Sequence, residues 1–241
     1  KDIAKEKASI YEYLNKKSFA LIPNDSPYSE ILIKKASRKT QNIISFGKKE
    51  TSNSNFSKIK ENKFIFRVLE KKISLEKKNY FKHWEENVLI ILIILKILKF
   101  DFVDFRKRIE NLKPLDGRGK KIKILKGKKK FFLIDETYNS NPHTLEHAIL
   151  NANEILKRNQ KLVLVIGDML ELGNFSKQLH LKILEIVKKV SPKLLITIGS
   201  FSKIITDNAK PNLKAYHFKT YHKVYERLIE EIDDSDIVMI K

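Results

Sequence analysis

Asp135 and Glu136 are adjacent carboxylates at the end of the apolar run Phe131 to Ile134, and Thr137, Tyr138, Asn139, Ser140 and Asn141 follow before Pro142. A plain link between two elements needs about two to six residues of any turn chemistry, whereas this one contains two acids, a phenol and two amides. A second polar string, Gly167 to Gly173 (GDMLELG), ends the apolar run Leu162 to Ile166, adds Asp168 and Glu171, and is followed by His180. Any one such turn is explained by the need to end an element and cap the next. Their combined density of acids and amides marks them as candidates for ligand contact.

Arg118 stands between Gly117 and Gly119. A permanently charged fork beside a hinge can follow nucleotide phosphates or ribose as a domain closes, and flanking glycines permit close backbone approach. His83 opens a long apolar helix, where an imidazole can ligate a metal or contact phosphate. Asn87, one turn on, can donate and accept at once. Lys7, between Glu6 and Ala8, reads from its neighbours alone as a solvated helix lysine.

The elements that must carry these residues follow from periodicity. Asn141-Pro142 suits an N-cap and first helical residue, and Leu145, Ala148, Ile149, Ala152, Ile155 and Leu156 then recur at helical spacing. Leu162 to Ile166 with a helix from about Ser176 to Lys189 repeats the plan, and Lys193 to Ile198 with Gly199 and Ser200 begins a third copy. Strands alternating with helices of this length predict a mostly parallel sheet wrapped by crossover helices, with ligands beyond the carboxyl ends of the strands.

The first 112 residues predict an opening helix, strands near Phe19–Ile22 and Ile43–Phe46, a helix near Ser29–Ala36 and a hairpin of Phe64–Leu69 with Ile73–Glu76. Helices near His83–Lys99 and Asp101–Asn111 complete this half. The polar stretch from Lys48 to Asn62 is expected to be a surface loop. Pro114, Asp116, Gly117 and Gly119 supply a hinge-like linker, which divides the chain into domains 1–112 and 113–241.

The polar strings resemble the C-terminal domain of Mur ligases of the MurF type, where D-[DE]-[ST]-Y-N-A-N-P precedes G-D-M-x-E-L-G and a downstream His. Further matches occur in order: Ile3 to Tyr11 with A-x-E-K-x-x-I-[FY], Asn24 to Tyr28 with N-x-D, Ser45-Phe46-Gly47, His83-Trp84 with Asn87, and Gly117-Arg118-Gly119. Ser140 replaces the usual Ala, and Phe81 the Gly two before the His. The resemblance implies the second half of a central ATP-binding domain followed by an incomplete Rossmann-like C-terminal domain. It implies ATP-dependent joining of D-alanyl-D-alanine to UDP-N-acetylmuramoyl-tripeptide through an acyl phosphate, with magnesium. Lys7, carried as a carbamate, would help to hold the metal, with His83 near a second ion; Asn87, Arg118, Asp135 and Glu136 would face the nucleotide. Tyr138, Asn139, Asn141, Asp168 and Glu171 would face the peptide substrates.

The chain begins without Met, ends on the apolar run Ile237 to Ile240 followed by Lys241, and contains no G-x-x-x-x-G-K-[ST] phosphate loop. The resemblance places a UDP-sugar domain and a P-loop before it, so this piece alone is expected not to turn over. The absence of Cys precludes disulfides and fits a reducing compartment; a cytoplasmic monomer is the expectation. The apolar run Val88 to Leu95 falls well short of the roughly 20 residues of a membrane span.

A net charge of +20 opens a second class, a basic nucleic-acid-binding module, centred on the lysines from Lys120 to Lys130. Only seven of the 49 basic residues are Arg, and the lysines are spread over every segment, so general lysine enrichment is the favoured explanation. Within amide ligases, other Mur ligases and folylpolyglutamate synthase share the chemistry, but the two polar strings together fit the MurF type better.

Overall fold

The computed structural model describes residues 2–60, 63–76, 84–209, 211 and 213–241. The chain divides into two compact units, Lys1–Leu112 and Lys113–Lys241. Among the described residues no helix is long and apolar enough to cross a membrane.

The first unit runs α1 (Asp2–Ala8), a 3-10 turn (Ser9–Tyr13), β1 (Ala20–Pro23), α2 (Ser29–Ala36), β2 (Ile43–Gly47), β3 (Ser54–Lys60), β4 (Lys63–Val68), β5 (Lys71–Glu76), α3 (Trp84–Ile97) and α4 (Phe102–Glu110). Among the described residues its five strands lie in sequence order, with β1, β2 and β3 parallel and β3, β4 and β5 antiparallel. Alternation along β4 buries Phe64, Phe66 and Val68 on one face, against Val88, Leu89, Leu92 and Ile93 of α3. Asp101 caps α4 by accepting the Val103 N–H at 3.1 Å.

β3 occupies part of the stretch expected to be a surface loop. Its sequence, SNFSKIK, gives no apolar alternation because its order comes from ladders on both sides rather than from a buried face. Phe56 does meet Phe66, ring centroids 6.2 Å apart, and the buried Ser54 hydroxyl accepts the Leu69 N–H at 2.9 Å.

The second unit runs β6 (Lys120–Lys126), β7 (Lys129–Asp135), α5 (Pro142–Glu154), β8 (Leu162–Ile166), a 3-10 turn (Gly173–Phe175), α6 (Ser176–Val190), β9 (Leu194–Ile198), α7 (Lys203–Ala209), β10 (Ala215–Phe218), α8 (His222–Glu231) and β11 (Ile237–Ile240). The sheet order is β10-β9-β8-β11-β7-β6, parallel throughout except for β6. This is the mostly parallel α/β architecture predicted from the strand-helix rhythm. β8 is buried at all five positions because helices cover both faces, which is why it reads as an unbroken apolar run. α5 and α6 bury Leu145, Ile149, Ile183 and Val187 on one side, and α8 buries Val224 and Leu228 on the other.

The crossover from β7 through α5 to β8 leaves one position between the two strands, and β11 fills it. From that point the chain order proceeds in opposite directions, the arrangement that opens a crevice at the carboxyl ends of the strands. Asp135, Gly167, Gly199 and Lys241 stand at this edge.

Candidate functional site

The turn after β7 is laced to the glycine-rich segment before β6. Gly117 N–H donates to Asp135 Oδ2 at 3.0 Å, Gly119 N–H to the Asp135 carbonyl at 2.7 Å, and Tyr138 N–H to the Gly117 carbonyl at 3.1 Å. Gly117 has φ +74°, and a β-carbon there would sit 2.9 Å from Tyr138 N, so the approach requires glycine. Thr137 gives Asp135 Oδ1 both its N–H, at 3.1 Å, and its hydroxyl, at 2.6 Å. Burial pushes the Asp135 carboxyl up, but these donors and Lys120 outweigh it and hold the group below the usual carboxylate value.

That lacing places Arg118 on Tyr138. The guanidinium carbon lies 3.8 Å from the ring centroid, a cation–π contact that fixes the plane of the fork. Both side chains are exposed. Among the described residues the guanidinium makes no hydrogen bond, so its N–H donors are left unspent by the protein.

Glu136 is half-buried between two cations. Its Oε2 lies 3.6 Å from Lys241 Nζ, and Arg118 adds a weaker attraction. Burial nevertheless raises the Glu136 carboxyl and lowers the Lys241 ammonium, so desolvation outweighs the attraction on both partners. Lys241 also donates to the Asn139 carbonyl at 2.9 Å and more weakly to the Glu136 carbonyl at 3.4 Å. Lys241 was not among the sequence candidates; the available signal was a lone cation closing an apolar strand at the ligand edge.

The remaining candidates serve largely as architecture. Asn139 is exposed, its Oδ1 accepting the Ser140 N–H at 2.7 Å. Asn141 is the predicted N-cap, with a reciprocal box in which its Oδ1 accepts the Thr144 N–H at 2.9 Å and Thr144 Oγ1 accepts the Asn141 N–H at 3.1 Å. Ser140 Oγ is buried with no partner among the described residues. Asp168 accepts the N–H groups of Ser200, Phe201 and Ser202 at 2.7–3.0 Å. Burial raises its carboxyl, yet these donors prevail and hold it below the ordinary value. Glu171 is exposed at φ +61°. His180, fully buried, accepts the Met169 N–H on Nε2 at 2.9 Å, which leaves the proton on Nδ1 to donate to the Ser176 carbonyl at 2.8 Å. It shapes the GDMLELG turn from beneath.

In the first unit, Lys7 is exposed in the last turn of α1 and Asn87 is exposed in the first turn of α3. His83 and Phe81 lie outside the described residues. Asp25, in the segment after β1, accepts the Lys48 N–H at 2.6 Å and, at a longer 3.4 Å, that of Lys49. Among the described residues no group of three or more His, Cys, Asp or Glu is arranged to hold a metal.

The basic hairpin has local occupations. Lys120 pairs with Asp116 at 2.7 Å, Lys121 sits over the Phe132 ring, Lys126 over Tyr225, and Lys129 donates to the Ile229 carbonyl at 2.6 Å. Lysines along an exposed edge strand also discourage pairing with another chain.

The fold and its edge define the second unit as a doubly wound α/β protein whose polar loops gather at the ligand end of the sheet. Residues 122–241 match the family described as Mur ligase, glutamate ligase domain, and residues 1–95 match the Mur ligase middle domain. The chain belongs to the Mur ligase family. It is 24% identical over 252 residues, covering all of this chain and 53% of the relative, to the UDP-N-acetylmuramoyl-tripeptide--D-alanyl-D-alanine ligase of Rickettsia prowazekii (strain Madrid E). The MurF crystal structure from Acinetobacter baumannii matches 99% of this chain and 52% of its own at TM-score 0.80 and 20% identity. The Thermotoga maritima MurF structure in complex with ADP matches 98% and 52% at TM-score 0.74 and 21% identity. The chain thus spans about half the length of the relatives it matches.

Proposed function

We propose that the full-length protein joins D-alanyl-D-alanine to UDP-N-acetylmuramoyl-tripeptide, using ATP and magnesium, in peptidoglycan precursor synthesis in the cytoplasm. The observation that carries this reading is the alignment of the whole chain with a relative named for that reaction. Arg118 supports it with a cation already oriented at the edge where the fold binds ligands.

A carboxylate is a poor acyl donor because oxide would have to leave. In the proposed reaction the terminal carboxylate oxygen of the tripeptide attacks the γ-phosphorus of ATP, releasing ADP and leaving an acyl phosphate. The dipeptide amine then attacks the carbonyl carbon, phosphate departs with the bonding pair, and the nitrogen loses a proton. Such chemistry asks chiefly for positioning and for cations against phosphoryl charge. Arg118 would meet nucleotide phosphate or ribose, with Asp135 and Glu136 placing its loop; Asn87 would contact adenine.

Tyr138, Asn139, Asn141, Asp168 and Glu171 would line or shape the dipeptide side of the cleft. The exposed amine of Lys7 has room to become a carbamate, an oxygen donor of the kind magnesium prefers, and His83 would be its companion at the metal. Magnesium there would offset phosphoryl charge. Mass spectrometry of the product tests the reading: incubation with the tripeptide, ATP and D-alanyl-D-alanine yields a muramoyl pentapeptide. Recovery of unmodified tripeptide would reject it.

A further inference from the structure

We propose that Lys241 is a positioning residue of this site, tying the loop that carries Tyr138 to the strand end that begins the GDMLELG turn. The role rests on the proposed ligase reading for its consequence but on geometry for its existence. β11 is the strand inserted between β7 and β8, so Lys241, the residue directly after it, lies midway between the two motif-bearing loops. On one side the Lys241 carbonyl accepts the Gly167 N–H at 2.7 Å, and Lys241 N–H donates to the Val165 carbonyl at 3.0 Å. On the other side Nζ donates to the Asn139 carbonyl, and Glu136 N–H donates to the Ile240 carbonyl at 2.9 Å.

The Lys241 side chain is only 4% exposed. An ammonium so placed must spend its donors on protein acceptors, since leaving them unmade in a buried setting is costly. Two of its acceptors are main-chain carbonyls on either side of Tyr138, which fixes the path of the segment between them. Tyr138 in turn supports Arg118. A neutral side chain at position 241 would free the Asn139 carbonyl, leave Glu136 without its nearest cation and loosen the platform on which the guanidinium lies.

A structural control exists at the other end of the same strand. Lys193 pairs with Asp233 and with the buried Asp236, each at 2.7 Å, and so secures the start of β11 away from the ligand edge. Lys241→Met and Lys193→Met in the full-length protein therefore both remove a lysine anchored to β11, but only the first touches the loop.

Amide hydrogen exchange and steady-state kinetics on both variants test the proposal. Lys241→Met is expected to speed exchange across residues 137–141 by about tenfold or more, with Lys193→Met leaving that segment unchanged. It is also expected to raise the KM for ATP or the dipeptide by about tenfold, beyond any change in Lys193→Met. Unchanged exchange in Lys241→Met, or equal acceleration in both variants, overturns the proposal whatever the activity. Should loop exchange respond as expected while the wild-type protein forms no amide, it is the ligase reading that fails.

Discussion

The Asp168 carboxylate fills the space that a β-carbon on Gly199 would need, and from there accepts three consecutive N–H groups, those of Ser200, Phe201 and Ser202. The turn after β8 thereby fixes the turn after β9. Gly199 has φ +115°, a conformation that L side chains rarely adopt. Gly199→Ala is expected to destabilise by roughly 2 kcal/mol or more, through backbone strain and displacement of the carboxylate, as read by urea denaturation.

The same carboxylate sets a pH dependence. Its folded-state value is held below the ordinary one, so its stabilising contribution is complete above the unfolded pKa, about 3.9, and is lost as pH falls through the lower folded value. Asp168→Asn should therefore be less stable than wild type at pH 7, with the gap narrowing below about pH 4. A gap of constant size in chemical denaturation from pH 7 to pH 3 would assign the effect to packing alone.

Arg118 and Tyr138 give separable effects on nucleotide affinity. Arg118→Ala is expected to weaken ATP binding by the full-length protein roughly 10- to 100-fold, with Arg118→Lys a poor substitute because it lacks the planar fork. Tyr138→Phe keeps the ring and should bind nearly as well. Tyr138→Ala loses a cation–π contact of about 0.5–1 kcal/mol, roughly two- to fivefold in Kd. Calorimetric titration measures all four, and an unchanged Kd in Arg118→Ala removes Arg118 from the nucleotide site.

Asn141 distinguishes capping from substrate contact. Asn141→Ala should cost about 1 kcal/mol of stability, whereas Asn141→Asp preserves the cap and suits the positive end of the α5 dipole. If Asn141→Asp is fully stable yet raises the dipeptide KM, the side chain touches substrate; an unaltered KM confines it to the cap. The buried hydroxyl of Ser140 has no partner among the described residues, so Ser140→Ala is expected to leave thermal stability unchanged or improve it.

Lys7 tests the metal reading. Lys7→Ala in the full-length protein is expected to abolish most turnover, with partial rescue by small carboxylates that replace the carbamate oxygens. Undiminished turnover would return Lys7 to the role its neighbours alone suggest, a solvated lysine on α1.

Much of this architecture was legible because local signals agreed. Asn141-Pro142 marked the start of α5, Asp101 the start of α4, and the apolar runs at Leu162 and Leu194 the central strands. β3 was hidden because ladder hydrogen bonds leave no trace in side-chain polarity, and β10, with the sequence AYHF and only Ala215 buried, presents no apolar run. At the candidate site, residue types singled out Arg118 and the acidic pair. Arg118 meets the acidic pair through the register of the β6–β7 hairpin, which sets Lys120 against Asp135, whereas the contact of Glu136 with Lys241 depends on the insertion of β11 between β7 and β8, a long-range pairing that no local window contains. For the same reason Lys241 and the contact of Asp168 with Gly199 emerged only from three-dimensional neighbours.

Phosphate release by the full-length protein, supplied with ATP, magnesium and UDP-N-acetylmuramoyl-tripeptide, tests the central claim most directly when measured with and without D-alanyl-D-alanine. Sustained release that requires both the tripeptide and the dipeptide, one phosphate for each amide formed, is the predicted result. Release indifferent to the dipeptide, or none with both substrates present, would contradict it.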